Sequence, residues 1–479
     1  MPEHTVHAPR LPRRSVLMGL GMAVAGLALS ACGGATDTGT PLATTVTSAA
    51  TTIGNAAPTV ASVATTAAKA APQAASASGQ AVTIDFWLLG GADQAKIIND
   101  NIITEYKKSN PNATVTLQML ANWQDLYQKY LTSMAGGAPP NMGRMKDYWT
   151  PQFGTRSGLV DLDKYVKSAD FDPKRYAPQR WDSTQVGGKT YSIPWTLFQH
   201  YQFYNETLLK ANGYTNADGS AKPPDTWDER REYAKKMTNP ANQQWGNMLY
   251  STNNTEGTTF DWMDRVLGAG GKLMNEERTK FLFNTAEGVA PIEYYLDMLY
   301  KDKSTIPPGV TVENGVNGGK VAEWITGPWT VPAMRTQAPD LKWSVTLHPQ
   351  NKNRAAQLMG NNLGMFAGAK NVEATWSYVN FMAKPENDLI WNSQSGYLPV
   401  QIANWDKPPY SDNPAWKIMT TQARRDDSPT LPIVLDYQEI LEGIANELQL
   451  AYLQKKEPKV AVAAAFDKAT EILNRSVKK

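Results

Sequence analysis

The sequence predicts an α/β protein whose folded body divides into two lobes, on three observations. Residues 81–146 read strand, helix, strand, helix, strand, the order of a parallel, doubly wound unit. The body that begins there runs to residue 479, too long for one comfortable hydrophobic core. The segment just ahead of it, 33–80, has no aromatic residue, so the core-forming side chains are concentrated in the body.

Each element has its own signal. "AVTIDFWLL" (81–89) alternates and is rich in β-formers, a strand pattern. Residues 94–108 place Ile97, Ile98, Ile102 and Tyr106 on one helical face, and "ATVTLQM" (113–119) alternates again. Trp123, Leu126, Tyr127, Tyr130, Leu131 and Met134 then follow helical 3,4 spacing. Asn122 is placed to cap that helix, and Gly136-Gly137 and Pro139-Pro140 end it. Asp125 falls in its first turn, where a carboxylate complements the helix dipole. "NMGRMK" supplies the next strand. Ligands of such sheets sit beyond the carboxyl ends of the strands, here near Gly90–Asp93 and Asp147–Trp149. Further on, "GGKTYSIPW" (187–195) reads as a turn and an extended segment, and Thr226-x-x-Glu229 as a capping box opening a helix from Trp227 to Met237. "NNLGMFAGAK" (361–370) is strand and turn, followed by a helix carrying Val372, Trp376, Val379 and Met382. From Trp416 onward the pattern is mainly helical, and no internal repeat is present.

The amino-terminal region has a different design. Arg10, Arg13 and Arg14 precede an uncharged, apolar run from Val16 to Ala31, the layout of a secretory signal over residues 1–31. That run is shorter than the ~20 residues that span a bilayer comfortably. Leu29-Ser30-Ala31-Cys32 resembles the lipobox of bacterial lipoproteins, in which the cysteine becomes the lipidated amino terminus. Cys32 is the sole cysteine of the chain, so no intramolecular disulfide is available to it. Arg13-Arg14 also resembles a twin-arginine export signal, although paired arginines occur in ordinary leaders too. Residues 33–80 are mostly Ala, Thr, Ser, Gly and Pro with only Asp37 and Lys69 charged, a composition that reads as a disordered tether (32–80 with its lipidated cysteine).

Composition excludes several functions. Of 47 basic and 45 acidic side chains the leader takes three Arg and one Glu, leaving 44 of each sign. A neutral body offers no footprint for nucleic acid or anionic lipid. His200 and His348 are its only histidines and it has no cysteine, which leaves no material for a Cys/His zinc site or a cysteine nucleophile. No nucleophile elbow, phosphate loop or dinucleotide fingerprint occurs, and no cofactor is expected.

Seven segments in order resemble bacterial extracellular solute-binding proteins of the sugar-binding class, the group that includes maltose-binding protein. They are "DLYQKYLTSMAGGAPPN" (125–141), "GLVDLDKYV" (158–166), "GGKTYSIPW…FYNETLLKANGY" (187–214), "PPDTWDERREYAKKMT" (223–238), "FNTAEGVAPIEYYLDMLY" (283–300), "GKVAEWITGPW" (319–329) and "GYLPV" (396–400). Two positions depart from the family pattern: Asn141 stands where Asp is common, and Asn361-Asn362 where two glycines are common. Both are expected close to the cleft, so they bear on the substrate rather than the fold. The resemblance implies a periplasmic-binding-protein-like fold (type II): two α/β lobes, a ligand cleft between them, and several chain crossings. The first lobe is expected at 82–194 with 358–395 and the second at 199–357 with 400–479. Crossings then fall near Pro194–Phe198, Met359 and Leu398–Pro399.

Sugars present hydroxyls on their edges and apolar C–H faces, so their sites combine flat rings with planar polar groups. The resemblance puts Trp329, of the Gly-Pro-Trp turn, on the sugar face, and Trp149 and Tyr437 at other cleft positions. It places Trp195 and Phe198 at the first crossing, where the apolar Phe198 replaces a polar contact common in the family. Phe260 and Trp262, just before "GAGG", are placed to line a wall of the cleft or to fill a helix core. Asp93, Asp147, Asn361 and Asn362 are the candidate polar contacts, each with an ordinary turn role as the alternative. Arg144 and Lys146 are expected at a solvated strand end, within reach of an acidic group.

The resemblance thus implies a substrate-binding lipoprotein of an ABC importer, tethered outside the cytoplasm through Cys32. It would capture a carbohydrate, an oligosaccharide being expected, and deliver it to a membrane permease. Permease and ATPase would be separate chains and this chain a monomer, touching the membrane through its lipid alone. The competing class is an extracellular glycoside hydrolase, which needs two carboxylates ~5–9.5 Å apart. No motif singles out such a pair among the acidic residues, so no enzyme is expected. A polyamine, peptide or metal ligand is a further alternative, and the shortage of histidine disfavours metal.

Overall fold

The structure is a computed structural model that describes residues 81–168, 170–249, 255–312, 314–425 and 429–477. The expected signal peptide, Cys32 and the 33–80 tether lie outside the described residues. Eleven strands are described: β1 Val82–Leu89, β2 Ala113–Leu120, β3 Met142–Lys146, β4 Gln185–Val186, β5 Lys189–Thr190, β6 Ser192–Phe198, β7 Tyr201–Asn205, β8 Trp245–Met248, β9 Val321–Thr326, β10 Trp343–Thr346 and β11 Met359–Met365. They form a five-stranded sheet ordered β2-β1-β3-β11-β6, a four-stranded sheet ordered β10-β7-β9-β8, and the small β4-β5 hairpin. Two sheets, each with its own helices, make the two-lobed α/β architecture.

The five-stranded sheet begins as the patterns predict. β1 runs parallel to β2 and to β3, in the 2-1-3 order of a doubly wound unit. Alternation along β1 buries Ile84, Phe86 and Leu88 completely. β11 and β6 then join antiparallel, so the sheet is mixed rather than wholly parallel. Pairing shifts between Asn361, opposite Thr196, and Asn362, opposite Pro194, which leaves Trp195 as a β-bulge. In the β4-β5 hairpin the two linking residues, Gly187 and Gly188, have φ of 59° and 77°, backbone that the tight two-residue turn requires and glycine adopts without strain.

The helical expectations hold in most details. Trp123–Ala135 is a helix whose Asn122 Oδ1 accepts from the Asp125 N–H at 2.8 Å. The expected 94–108 helix is a run of α, π and α segments over Ala92–Ile97, Ile98–Ile103 and Thr104–Ser109, with Ile98, Ile102 and Tyr106 buried as its pattern requires. Trp227–Met237 starts at Thr226, whose hydroxyl accepts from the Glu229 N–H at 3.2 Å. The return arm of that capping box is displaced by one residue: the Glu229 carboxylate accepts from the Asp225 N–H at 2.7 Å, not from Thr226. The carboxyl-terminal region is helical over Pro414–Ala423, Tyr437–Tyr452 and Pro458–Val477, and Tyr437–Tyr452 packs on both Pro458–Val477 and the helix Thr255–Gly268.

Candidate functional site

The carboxyl ends of β1 and β3 and the start of β11 converge on a cavity of about 230 Å³. Leu89 closes β1, Lys146 closes β3 with Asp147 and Tyr148 after it, and Met359, Gly360 and Asn361 open β11. Because β11 runs antiparallel to β3, its first residues lie beside the last of β3. The other wall comes from residues that follow strands of the second sheet. Trp329 follows β9, and Glu256, Gly257 and Phe260 belong to the helix Thr255–Gly268. Phe198 and His200, where the chain passes from β6 to β7, and Tyr397 complete the ring-lined side.

Trp329 is held by the turn before it. A Cβ at Gly327 would lie 1.8 Å from the Trp329 ring, so the indole folds directly over that glycine. Phe198 meets it edge-on, with centroids 5.1 Å apart, and Tyr397 lies tilted at 6.4 Å. These three rings form one apolar wall suited to the C–H face of a sugar.

The polar floor rests on buried ion pairs. Arg180 Nη1 donates to Asp147 Oδ2 at 2.7 Å, and Nη2 donates to Asn362 Oδ1 at 2.8 Å. Asp147 Oδ2 also accepts from the Gly360 N–H at 3.0 Å, which ties the start of β11 to the end of β3. Burial pushes the Asp147 carboxyl above its ordinary range, while Arg180 and two backbone N–H groups hold it back. A Cβ at Gly360 would lie 2.4 Å from the Arg180 guanidinium carbon, so that glycine gives the arginine its passage. Lys146 pairs with Glu256, which also accepts from the Tyr148 hydroxyl. Burial lowers the Lys146 ammonium, and Glu256 opposes that shift. His200 Nδ1 lies 3.0 Å from Asp264 Oδ2.

The structure sorts the sequence candidates. Trp329, Phe198, Phe260, Asp147 and Asn361 line the cavity. Asn361 Oδ1 accepts from Arg144 Nε at 2.9 Å, and its own N–H donates to Thr196 Oγ1 at 3.0 Å. Asn362 lies one residue deeper, fully buried, with Nδ2 donating to Ser192 Oγ at 3.1 Å; it braces Arg180 instead of facing the cavity. Trp149 is buried in an aromatic nest with Tyr127 and Phe153, and reaches only an adjoining outer groove.

Four candidates fall elsewhere. Trp195 is core, stacked on Trp391 at 4.3 Å and 8°. Trp262 is core, its Nε1 donating to the Gly288 carbonyl at 2.8 Å because it faces the helix Ala286–Leu296. Tyr437 is fully buried against Tyr148 and Met263. Asp93 is exposed in the first turn of its short helix, and from Gly90–Asp93 none lines the cavity; Leu89, one residue earlier, does. Asn141 is also far from the expected cleft. It precedes β3, at the end opposite the cavity, and its Oδ1 accepts from the Asp85 N–H at 2.9 Å. Arg144 and Lys146 are not solvated: they are 2% and 5% exposed. The Arg144 guanidinium lies 5.1 Å from the Trp123 ring and 5.0 Å from Tyr397, and Nη2 donates to the Tyr397 hydroxyl at 2.8 Å.

The sequence patterns do not single out Tyr397, His200, Met359 or Glu256 as lining residues, reach Tyr148 only as part of Asp147–Trp149, and use Trp123 only as a helix-face position. Tyr397 lay inside the quoted "GYLPV" segment, a usable signal. Glu256 had none, since one glutamate in a polar stretch resembles any other.

The chain is similar in sequence to known proteins and in fold to solved structures. A putative binding protein of Brucella abortus (strain 2308) is 25% identical over 378 residues, covering 77% of this chain and 88% of its own. The sn-glycerol-3-phosphate-binding periplasmic protein UgpB of Salmonella typhimurium is 22% identical, covering 82% and 93%. Among solved structures, a solute-binding protein of Thermotoga lettingae bound with alpha-D-tagatose superposes with a TM-score of 0.73 at 23% identity, over 82% of this chain and 99% of that one. The substrate-binding protein Lmo0181 of Listeria monocytogenes, in complex with cycloalternan, gives 0.73 at 22% identity, over 82% and 100%. At such identities the superpositions establish the fold. The family model for bacterial extracellular solute-binding proteins matches residues 101–418. With that match on a two-sheet fold whose strand ends converge on a ring-walled cavity, the chain belongs to the bacterial extracellular solute-binding proteins.

Proposed function

We propose that the protein is the substrate-binding subunit of an ABC importer, that its ligand is a carbohydrate, and that a lipid on Cys32 holds it to the cell membrane. The observation that carries the ligand class is the cavity itself. Trp329, Phe198 and Tyr397 supply aromatic rings, and Asn361, Lys146 and Glu256 supply planar or charged polar groups to the same lining. That mixture matches a molecule with apolar faces and hydroxylated edges. The cations at it are paired with carboxylates, Lys146 with Glu256 and Arg180 with Asp147, which suits a neutral ligand. The two solved structures named above hold alpha-D-tagatose and cycloalternan, in line with this reading.

A cavity of about 230 Å³ accommodates roughly one sugar ring, being smaller than the ~300–1,000 Å³ of most ligand pockets. An open groove of about 660 Å³ adjoins it and supplies room for further units of an oligosaccharide. Ligand contacts made from both lobes would shift an open–closed equilibrium towards the closed form that a permease recognises. Among the described residues no helix is long and apolar enough to cross a membrane, so the permease is assigned to other chains.

The test is a thermal-shift screen of the purified chain against neutral sugars. A ligand at 100 times its Kd stabilises the folded state by about 2.7 kcal/mol. Failure of every sugar to raise Tm would remove the carbohydrate reading. We read the protein as a carrier and not a hydrolase, because Asp147 and Glu256 are each committed to a cation. A bound sugar should therefore be recovered intact; turnover abolished by changing one carboxylate would reverse that reading. For the anchor, Cys32→Ala should abolish labelling by palmitate and release the protein from membranes. Arg13→Lys with Arg14→Lys should block export if the twin-arginine route is used.

A further inference from the structure

The inner cavity and the outer groove have four lining residues in common: Leu89, Trp123, Lys146 and Glu256. Two of these are the partners of one ion pair, and they come from opposite sides. Lys146 is the last residue of β3 in the five-stranded sheet, and Glu256 belongs to the helix that follows β8 of the four-stranded sheet. We infer that the Lys146–Glu256 pair is a partition between the two spaces, and that it sets how long a ligand the cleft takes. The inference rests on the carbohydrate reading above.

Both partners are held in place. The Lys146 ammonium sits 5.0 Å from the Trp123 ring and 5.6 Å from those of Tyr148 and Trp149. Its side chain is 6% exposed and that of Glu256 is 22% exposed. One Glu256 oxygen takes the Lys146 ammonium and the other takes the Tyr148 hydroxyl, so both are engaged. Beyond the pair, the groove is lined by Asn122, Gln124, Gln438 and Glu442 together with Trp123 and Trp149. This is the same combination of rings and planar polar groups that the inner cavity has, and it fits a second and a third sugar unit. A single ring in the inner cavity leaves the pair intact. A ligand that continues into the groove has to separate Lys146 from Glu256 and replace their mutual contact with its own hydroxyls. The closed pair therefore disfavours longer ligands relative to a monosaccharide, and Glu256 is the specificity-determining residue for chain length.

The experiment compares the wild type with Glu256→Ala and Glu256→Gln by calorimetry. The probes are the neutral monosaccharide that gives the largest thermal shift and its di- and trisaccharide homologues. Glu256→Ala should raise the affinity for the disaccharide and trisaccharide relative to the monosaccharide by at least tenfold. Glu256→Gln keeps the side-chain volume and the Tyr148 contact, so it should fall between the two and serves if the alanine variant folds poorly. An unchanged length ratio in both variants would overturn the partition while leaving the carbohydrate reading in place. A wild type that binds no sugar of any length overturns the carbohydrate reading, and the partition with it.

Discussion

Trp195 and Phe198 lie three residues apart on the same strand and do different work. Trp195 stacks on Trp391 of the helix Pro385–Ser395 inside the five-stranded lobe, and Phe198 meets Trp329 and Tyr397 at the cavity. Side chains alternate along a strand, so residues an odd number apart face opposite sides. The bulge at Trp195 leaves the residues on either side paired to consecutive positions of β11. What the pair teaches is that an aromatic residue at a chain crossing has no function by virtue of being aromatic; the face of the sheet decides. A similar division separates charged groups. Asp147 ties its arginine to the backbone of the cavity floor, whereas Glu323 is sealed inside the other lobe, with Arg230 Nε 3.6 Å away.

The largest expected effect breaks the comparison on its core side. Trp195→Ala should cost about 3–5 kcal/mol of folding stability, since a stacked, buried indole leaves a cavity behind. Denaturant unfolding measures it, and a loss below ~1 kcal/mol would show that the ring is not core.

On the cavity side, Trp329→Ala should weaken sugar binding by about 2–4 kcal/mol, as truncating a hot-spot aromatic does, or roughly thirty- to a thousandfold. Its ring is only partly buried, so Tm should move little. A large drop in Tm with unchanged affinity would reassign Trp329 to the core and leave Phe198 and Tyr397 as the recognition surface.

The sealed carboxyl of Glu323 sharpens the contrast through pH. Burial pushes it up to about 8, against an ordinary value near 4.5. The folded state therefore holds this proton more tightly than the unfolded chain does. Its contribution to stability is complete below pH ~4.5 and drains away as pH rises through about 8. Glu323→Gln, which imitates the protonated form, should flatten that decline, by up to ~1.4 kcal/mol per pH unit for one proton. Melting curves from pH 5 to 8 check this, and parallel curves for the two proteins would contradict it.

The smallest effect is expected at Asp93. It is exposed and outside the cavity, so Asp93→Asn should change stability by no more than about 0.5 kcal/mol and leave sugar affinity unaltered. A clear loss of affinity would mean that the cleft extends past Leu89 to the start of the helix Ala92–Ile97.

Much of the fold was legible before the structure because its signals are local. Alternation at 82–89, helical spacing at 123–134 and the Thr226 cap each concern residues within a turn or two of one another. The site was legible only in part. Trp329 was legible because the family resemblance puts the tryptophan of the Gly-Pro-Trp turn on the sugar face. Trp262 stayed open between cleft and core, and Tyr437 was misplaced, because a helix presents several faces, and which of them meets the cavity depends on distant partners such as Gly288 and Met263. Lys146 was misread for the same reason. Nothing near it in the chain indicates that a helix beginning more than a hundred residues later will cover it with Glu256.

By itself the sequence determined which segments become strands and helices, that the body carries balanced charge, and that the chemistry available is recognition by rings and polar groups. Periodicity, capping and composition are properties of neighbouring residues, and they survive in one dimension. Tertiary structure alone decided which aromatic rings face the cavity, that Arg180 and Asp147 brace its floor, and that Lys146 and Glu256 meet across it. Those outcomes depend on strand order, on the bulge opposite Asn361 and Asn362, and on contacts between residues 33 to 213 positions apart. No local pattern encodes them, because each is set by where two remote elements come to rest on a shared core.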